Sequence, residues 1–450
     1  MPNELLSNNK SSTPSEERVG DSGVVWTIWL TYGAFYFCRT NIAAATPGLK
    51  LPLVEGGLGL SDTEIGWILG SLKIAYAAGQ LINGQLSEQL SPRRMLAIGM
   101  FGSALLNVMF GFATAAYFLL FIWAMNGYCQ SLGWTPCMRV MANWIPVSRR
   151  GWAIGIVGTG YQITAGLTFI VAGFSAQWFG WRGALWVPAA ILAAVGTFMF
   201  FFLKDSPDES AAELLSDSAD AARHSPPTEQ RKGLLFKNLL WNTLHTLGNP
   251  ALWVLGISLG LLNACRYGYL DWGLSHLLET QKTALDTIGL QSIGKAGLKI
   301  AVLPLGGIAG SFLAGWMTDR FFGGRRAPVI CTLLVLLGLM TWIYPRVVEA
   351  SVVGTLVILV AVGFCIYGPQ VLLVGTAPAD LAHKGTSAAA AGFVNCLGYI
   401  GAALVGDVLT AHLLEKYGWE TTIHVWAACA MIAAALSALL WNAKARQDTR

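Results

Sequence analysis

Charge is what this chain has least of. Asp, Glu, Lys and Arg make up 12% of its residues, about half the ~25% usual in a soluble protein. Hydrophobic residues make up 54%. A soluble core could not hide that much apolar surface, so a soluble globular domain is excluded. The net charge of +4 is small, and no basic block or aromatic-plus-basic patch accompanies it. A nucleic-acid partner is therefore not expected. Residues 1–22 are polar and serine-rich with no apolar stretch, which excludes a secretory signal peptide there. The eight cysteines all fall in apolar runs without short pair spacing or histidine company. Neither a disulfide framework nor a zinc site is indicated, and small buried packing residues are expected instead. No nucleophile–base pair or metal constellation occurs at one depth, so no enzyme, cofactor or metal is expected.

What the chain does have is a series of apolar runs of the length a helix needs to cross a bilayer, about 20 residues. They lie near 24–46, 64–86, 94–113, 115–138, 151–174, 183–203, 250–275, 292–318, 328–346, 352–375, 386–411 and 423–442. Most lack a polar face, as helices surrounded by lipid or other helices do. The pattern implies an all-α membrane protein of about twelve transmembrane helices. Residues 1–23 read as a disordered tail, 24–204 as a first six-helix bundle, and 205–246 as a hydrophilic linker. Residues 247–442 form a second six-helix bundle and 443–450 a tail. With both termini and the linker inside, Arg93, Arg94, Arg149, Arg150, Lys204, Arg231, Lys232, Arg320, Arg325 and Arg326 all lie on the cytoplasmic side. Few cations, such as Lys50 and Lys416, stay outside. The positive-inside rule favours that orientation.

The two halves repeat. Arg39 in the first span matches Arg266 in the seventh. Gly84-Gln85-Leu86-Ser87-Glu88, followed by Arg93 and Arg94, matches Gly315 to Asp319 and Arg320, followed by Arg325 and Arg326. Gly127-Tyr128-Cys129 matches Gly363-Phe364-Cys365, and Arg150 matches Lys384. Six spans per half is an even number, so both halves face the same way. Parallel repeats of this kind bind substrate at their interface near the bilayer midplane. In the loop motifs the acids, Glu88 and Asp319, are suited to pair with the arginines and hold one loop conformation.

A charge deep in a membrane span costs at least ~2.5 kcal/mol and is a functional candidate by default. Arg39 and Arg266 occupy repeat-related positions, so both are expected to face a central cavity from opposite halves. Two guanidiniums across one cavity repel unless an anion lies between them, and their planar forks suit phosphate or carboxylate. The competing reading pairs each arginine with a helix acid or backbone carbonyls, and Asp271 supports this for Arg266. Tyr32, Tyr36 and Arg39 fall at i, i+4 and i+7, on one helical face. Lys73 lies halfway through the second span, with Gln80 seven residues on. It reads either as a third cation for the anion or as the partner of an acid elsewhere. Tyr161 and Asn395 lie at matching depths in spans five and eleven, each facing the cavity or packing.

Several strings resemble one family: residues 36–41 (YFCRTN), 127–137 (GYCQSLGWTPC), 265–272 (CRYGYLDW) and 366–369 (IYGP). They are similar to those of the organophosphate:phosphate antiporters of the major facilitator superfamily, and the paired loops are similar to that superfamily's signature. The family includes carriers of glycerol-3-phosphate, hexose phosphate and phosphoglycerate, and a sensor of hexose phosphate. The resemblance implies that Arg39 and Arg266 grip the phosphate, that Tyr32, Tyr36 and Tyr367 line the site, and that Asp271 is a span-seven acid of the family pattern. It also implies alternating access: an organic phosphate enters and inorganic phosphate leaves. Three positions depart from the glycerol-phosphate carriers. Gln80 stands for a lysine, residues 157–165 (VGTGYQITA) lack a histidine string, and Pro304 stands for a glutamate. A monomer in the cell membrane, binding a small anion and inorganic phosphate, is expected. A carboxylate carrier and a transport-inactive sensor are the alternatives.

Overall fold

A computed structural model describes residues 14–87, 90–206, 245–282, 293–383 and 386–443. Every described element is helical. The first span comprises α1 (Pro14–Ala34), a 3-10 turn (Phe35–Cys38) and α2 (Ile42–Lys50). Then come α3 (Asp62–Leu86), α4 (Pro92–Phe112), and a fourth span split into α5 (Ala116–Ser131) and α6 (Trp134–Trp144). Helices α7 (Val147–Phe179) and α8 (Gly183–Phe202) complete the first half. The seventh span is α9 (Pro250–Tyr267), a π turn (Gly268–Trp272) and α10 (Gly273–Lys282). The eighth is α11 (Ile293–Ile300) with α12 (Val302–Phe321), and the ninth is α13 (Arg326–Ala350). The tenth joins α14 (Val352–Val371), a π turn (Leu372–Thr376) and α15 (Ala377–Leu381). The eleventh joins α16 (Ser387–Gly401), a π segment (Ala402–Leu409) and the start of α17 (Thr410–Ala438), which turns at Gly418 (φ 74°) into the twelfth.

By length and apolarity alone, nine of the described helices can cross a membrane. The run Ala389–Ala438 holds two spans, and the first and fourth are broken into shorter pieces, which accounts for the difference from twelve. The first helix begins at Pro14. Most of the expected linker, with Glu88 and Lys384, lies outside the described residues.

The outward faces carry Trp26, Phe201, Phe202, Trp316, Val353 and Leu339, each more than half exposed. Monomeric soluble proteins rarely leave large apolar surfaces bare, and helices with such faces suit a lipid environment. Between helices, packing depends on small residues that let backbones approach. Gly127 on α5 and Gly363 on α14 show this in both halves. A Cβ on Gly127 would run into the Leu72 carbonyl of α3, and one on Gly363 into the Leu303 carbonyl of α12. The repeat match at these positions thus has a structural cause. Gly127→Leu and Gly363→Leu should each destabilise by at least about 1–3 kcal/mol through overpacking. Gly155→Ala, with open space around it, should not. Thermal melting of the detergent-purified protein reads the difference.

The halves meet along α3 against the eleventh span and α7 against α11. Gly66 and Gly70 face Ala411 and Ala403, and Gly297 faces Phe169. At the end of the bundle holding residues 51–61, polar contacts cross between halves. Lys50 Nζ, 2.7 Å from Asp62 Oδ1 of its own half, lies 3.6 Å from Glu279 Oε1 of the other. Thr63 Oγ1 donates to Glu415 Oε2 at 2.5 Å. At the linker end, Asp205 accepts from Ser91 Oγ and from the Arg93 amide (2.7 Å). In the second half, Arg326 bridges Asp319 (3.1 Å) and Asp380 (3.0 Å). Arg94 contributes its amide to the Ser91 cap, Arg325 donates to the Phe322 carbonyl, and Arg320 is exposed.

Candidate functional site

Arg39 sits where the first span stops being a regular helix. The 3-10 turn at Phe35–Cys38 frees backbone carbonyls, and a bilayer core has no water to satisfy them. Side chains from neighbouring spans do so instead. Gln130 Nε2 donates to the Phe35 carbonyl (3.0 Å), and Asn126 Nδ2 donates to that of Cys38 (2.8 Å). The seventh span is also distorted beside its arginine, by the π turn that follows Arg266. Short π segments inside helices recur at functional sites. The i, i+4, i+7 face expected for Tyr32, Tyr36 and Arg39 is therefore only approximate, because the helix breaks between the first and last of them.

Both arginines are buried, Arg39 at 5% exposure and Arg266 at 2%, and they are joined by two tyrosine bridges. On one side the Arg39 guanidinium lies 4.8 Å from the Tyr36 ring. Tyr36 stacks on Tyr161 at 5.2 Å, Tyr161 meets Tyr367 at 6.3 Å, and Arg266 lies 5.2 Å from Tyr367. On the other side Arg39 lies 4.4 Å from Tyr76, Tyr76 meets Tyr399 at 4.6 Å, Tyr399 meets Tyr267 at 6.4 Å, and Arg266 lies 4.9 Å from Tyr267. The result is a closed ring of two arginines and six tyrosines, half of it from each repeat. Arginine over a tyrosine face is attractive by about 0.5–2 kcal/mol, which helps hold two like charges near one another.

The ring leaves the arginines partly unsatisfied. Arg39 Nε donates to Gln130 Oε1 (3.2 Å) and Nη1 to Tyr36 Oη (3.4 Å), but Nη2 has no partner. Arg266 Nη1 donates to Tyr267 Oη (3.4 Å), and its Nε has none. No carboxylate pairs with either arginine among the described residues. Buried charged donors without acceptors are costly, and an oxyanion would supply acceptors to both.

The other sequence candidates fall around this ring. Gln80 Nε2 donates to Tyr76 Oη (2.9 Å) and so holds a ring tyrosine. Tyr32 packs behind the ring, against Trp134, Tyr36 and Tyr161. Asn395 is half-buried on α16, one turn from Tyr399. Asp271 does not pair with Arg266. It accepts from Lys73 Nζ, which also lies 2.5 Å from Asp407 Oδ2 and 4.5 Å from the Tyr267 ring. Arg39, Lys73, Tyr267 and Asp271 line one small cavity. Sequence reasoning missed Tyr76, Tyr267, Tyr399 and Asp407. Signals existed: Tyr76 falls between Lys73 and Gln80 at helical spacing, Tyr267 adjoins Arg266, and Asp407 is an acid inside an apolar run.

Comparison with known proteins identifies the family. A family model described as Major Facilitator Superfamily matches residues 28–406 and again 291–450. The chain is 29% identical over 432 residues to a "Probable hexose phosphate transport protein" of Chlamydia trachomatis, covering 93% of this chain and 91% of that one. It is 30% identical over 422 residues to the membrane sensor protein UhpC of Escherichia coli (93% and 90%). It is 28% identical over 431 residues to a glycerol-3-phosphate transporter of Bacillus subtilis (94% and 92%). Among solved structures it superposes on a bacterial homolog of the human lysosomal transporter Spinster with a TM-score of 0.70 at 15% identity, covering 96% of this chain and 98% of that one. At that identity the likeness speaks for the fold alone. On these matches the chain is an integral membrane protein of the Major Facilitator Superfamily, in its organophosphate:phosphate antiporter branch.

Proposed function

We infer that the protein carries a phosphorylated small organic anion across the cell membrane and exchanges it for inorganic phosphate. The substrate class is a hexose phosphate, glycerol-3-phosphate or phosphoglycerate. One observation carries the inference: two buried arginines, one from each half, share a tyrosine ring and retain donors without acceptors. A phosphate has enough oxygens to satisfy both forks at once. It is drawn to both halves together, so its binding favours their closing around it. Rocking of the halves about the loaded ring then exposes it to either side. The names of the relatives support the same substrate class.

In this reading the protein acts as a monomer with both termini cytoplasmic. A tag on the C-terminus should then be cleavable by protease in inside-out vesicles and protected in right-side-out ones. The 30% identity to UhpC favours a second reading, a sensor that binds organophosphate without net flux.

Counterflow separates these readings. Proteoliposomes loaded with inorganic phosphate are offered labelled glucose 6-phosphate, glycerol-3-phosphate, 3-phosphoglycerate or succinate. Uptake of at least one phosphate ester and not of succinate is the expected result. Uptake of succinate alone would end the phosphate reading, and tight binding without flux would establish the sensor.

A further inference from the structure

Three ionisable side chains lie together beside the ring, and gripping a phosphate with two arginines leaves them unused. Lys73 on α3 bridges Asp271 on the seventh span and Asp407 on the eleventh. The lysine comes from the first half and both carboxylates from the second. All three side chains are at most 4% exposed. One ammonium thus serves two buried carboxylates, and like charges sharing a site do not readily both ionise. The two acids are not equivalent. Asp271 accepts a hydrogen bond from Lys73, whereas Asp407 is fully buried and its Oδ1 has no partner. Both acids lie on π-helical segments, Gly268–Trp272 and Ala402–Leu409.

Among the described residues, few other titratable groups surround Asp407. Span two presents Lys73, and span seven presents Asp271, with Tyr267 beside Gly406. Its own span carries Tyr399 inward and His412 outward. From the twelfth span, Trp426 Nε1 donates to Thr410, three residues on from Asp407 (2.9 Å). The cavity lined by Arg39, Lys73, Tyr267 and Asp271 links the ion cluster to the ring.

Charge counting gives the cluster a role. Arg39, Arg266 and Lys73 carry three positive charges, and Asp271 and Asp407 carry two negative ones. A dianionic phosphate ester leaves the closed site with one uncompensated negative charge, which burial penalises heavily. One proton on Asp407 makes the loaded site neutral.

We propose that Asp407 is a proton-binding residue and that one proton crosses with each phosphate ester, so that the carrier runs as a proton symporter as well as an exchanger. The proposal rests on the organophosphate reading above. The Asp407 carboxylate takes a proton from hydronium on the entry side, leaving water and a neutral acid. After the halves rock, the acid returns that proton to water on the exit side, and Lys73 pairs again with both carboxylates.

The test uses the full chain in liposomes and labelled glucose 6-phosphate. Phosphate counterflow at equal pH on both sides first reports the organophosphate reading; its absence would remove that reading. Vesicles holding buffer and a trapped pH dye, without internal phosphate, are then exposed to an exterior one pH unit more acidic. Up to about tenfold accumulation is expected for one proton per ester, because one pH unit is a tenfold proton ratio. The interior should acidify in step. In Asp407→Asn both effects should vanish, and Asp407→Glu should restore part of each. Normal counterflow without accumulation in the wild type would overturn the proposal even if Asp407→Asn failed to fold. Persistence of both effects in Asp407→Asn would also overturn it, since the proton would then ride on the ester, as would drive by a sodium gradient instead of a proton gradient.

Discussion

Arg39→Ala and Arg266→Ala should each weaken binding of inorganic phosphate more than a hundredfold, measured by calorimetry on the detergent-purified protein. Hydrogen bonds to charged groups contribute about 1.5–3 kcal/mol each. Losing two such bonds from one guanidinium removes about 3 kcal/mol or more, and each 1.4 kcal/mol is tenfold. Lysine should rescue neither position. It offers a point charge in place of a planar fork, and it would not lie over Tyr36 and Tyr76, or over Tyr267 and Tyr367, as the guanidiniums do. Folding should survive both substitutions. The partners of the arginines are Gln130 and neutral tyrosines, so truncation orphans no buried carboxylate. It also relieves the repulsion between two like charges, and the melting temperature of the empty protein should hold or rise. Wild-type affinity in either variant would show that its arginine does not touch the anion.

Lys73→Ala should behave in the opposite way, losing stability first. Removing one partner of a buried ion pair costs about 3–5 kcal/mol because the other charge is left uncompensated. Here two carboxylates are left, Asp271 and Asp407. Adding Asp407→Asn to Lys73→Ala should recover part of the loss, since it removes the acid that already lacks a partner at Oδ1. Thermal melting of the wild type, both single variants and the double variant forms the cycle. Additive losses would mean that Lys73 contributes packing and not charge compensation. The same geometry bears on the departure at Gln80. Lys73 is already engaged by two acids, so it stands in poorly for the lysine that the glycerol-phosphate carriers place there. Gln80 instead orients Tyr76.

Much of this site could be read from the sequence, for a definite reason. A lone arginine in an apolar run is conspicuous, and the repeat placed Arg39 and Arg266 at the same depth in opposite halves. Tyr36 follows from its helical spacing to Arg39, Tyr367 from the family resemblance, and Tyr161 from its depth, matched to that of Asn395. The rest depends on tertiary partners. Tyr76, Tyr267 and Tyr399 look like ordinary packing residues until two arginines are seen between them. For Lys73, charge shows that a partner is needed but not which one. Asp271 was weighed for Arg266, its neighbour in sequence, yet it turns to a lysine on another span. The break at Phe35–Cys38 carries no proline and no glycine inside it. It is sustained by Asn126 and Gln130 of the fourth span, whose contacts no local pattern shows.

The central claim is that one phosphate is held by an arginine from each half. A structure of the protein determined by electron cryomicroscopy with inorganic phosphate bound tests it most directly. The expected density lies between the two guanidiniums, inside the tyrosine ring, with phosphate oxygens within hydrogen-bond distance of both Arg39 and Arg266. Phosphate held by one arginine alone, or seated outside the ring, would contradict the claim.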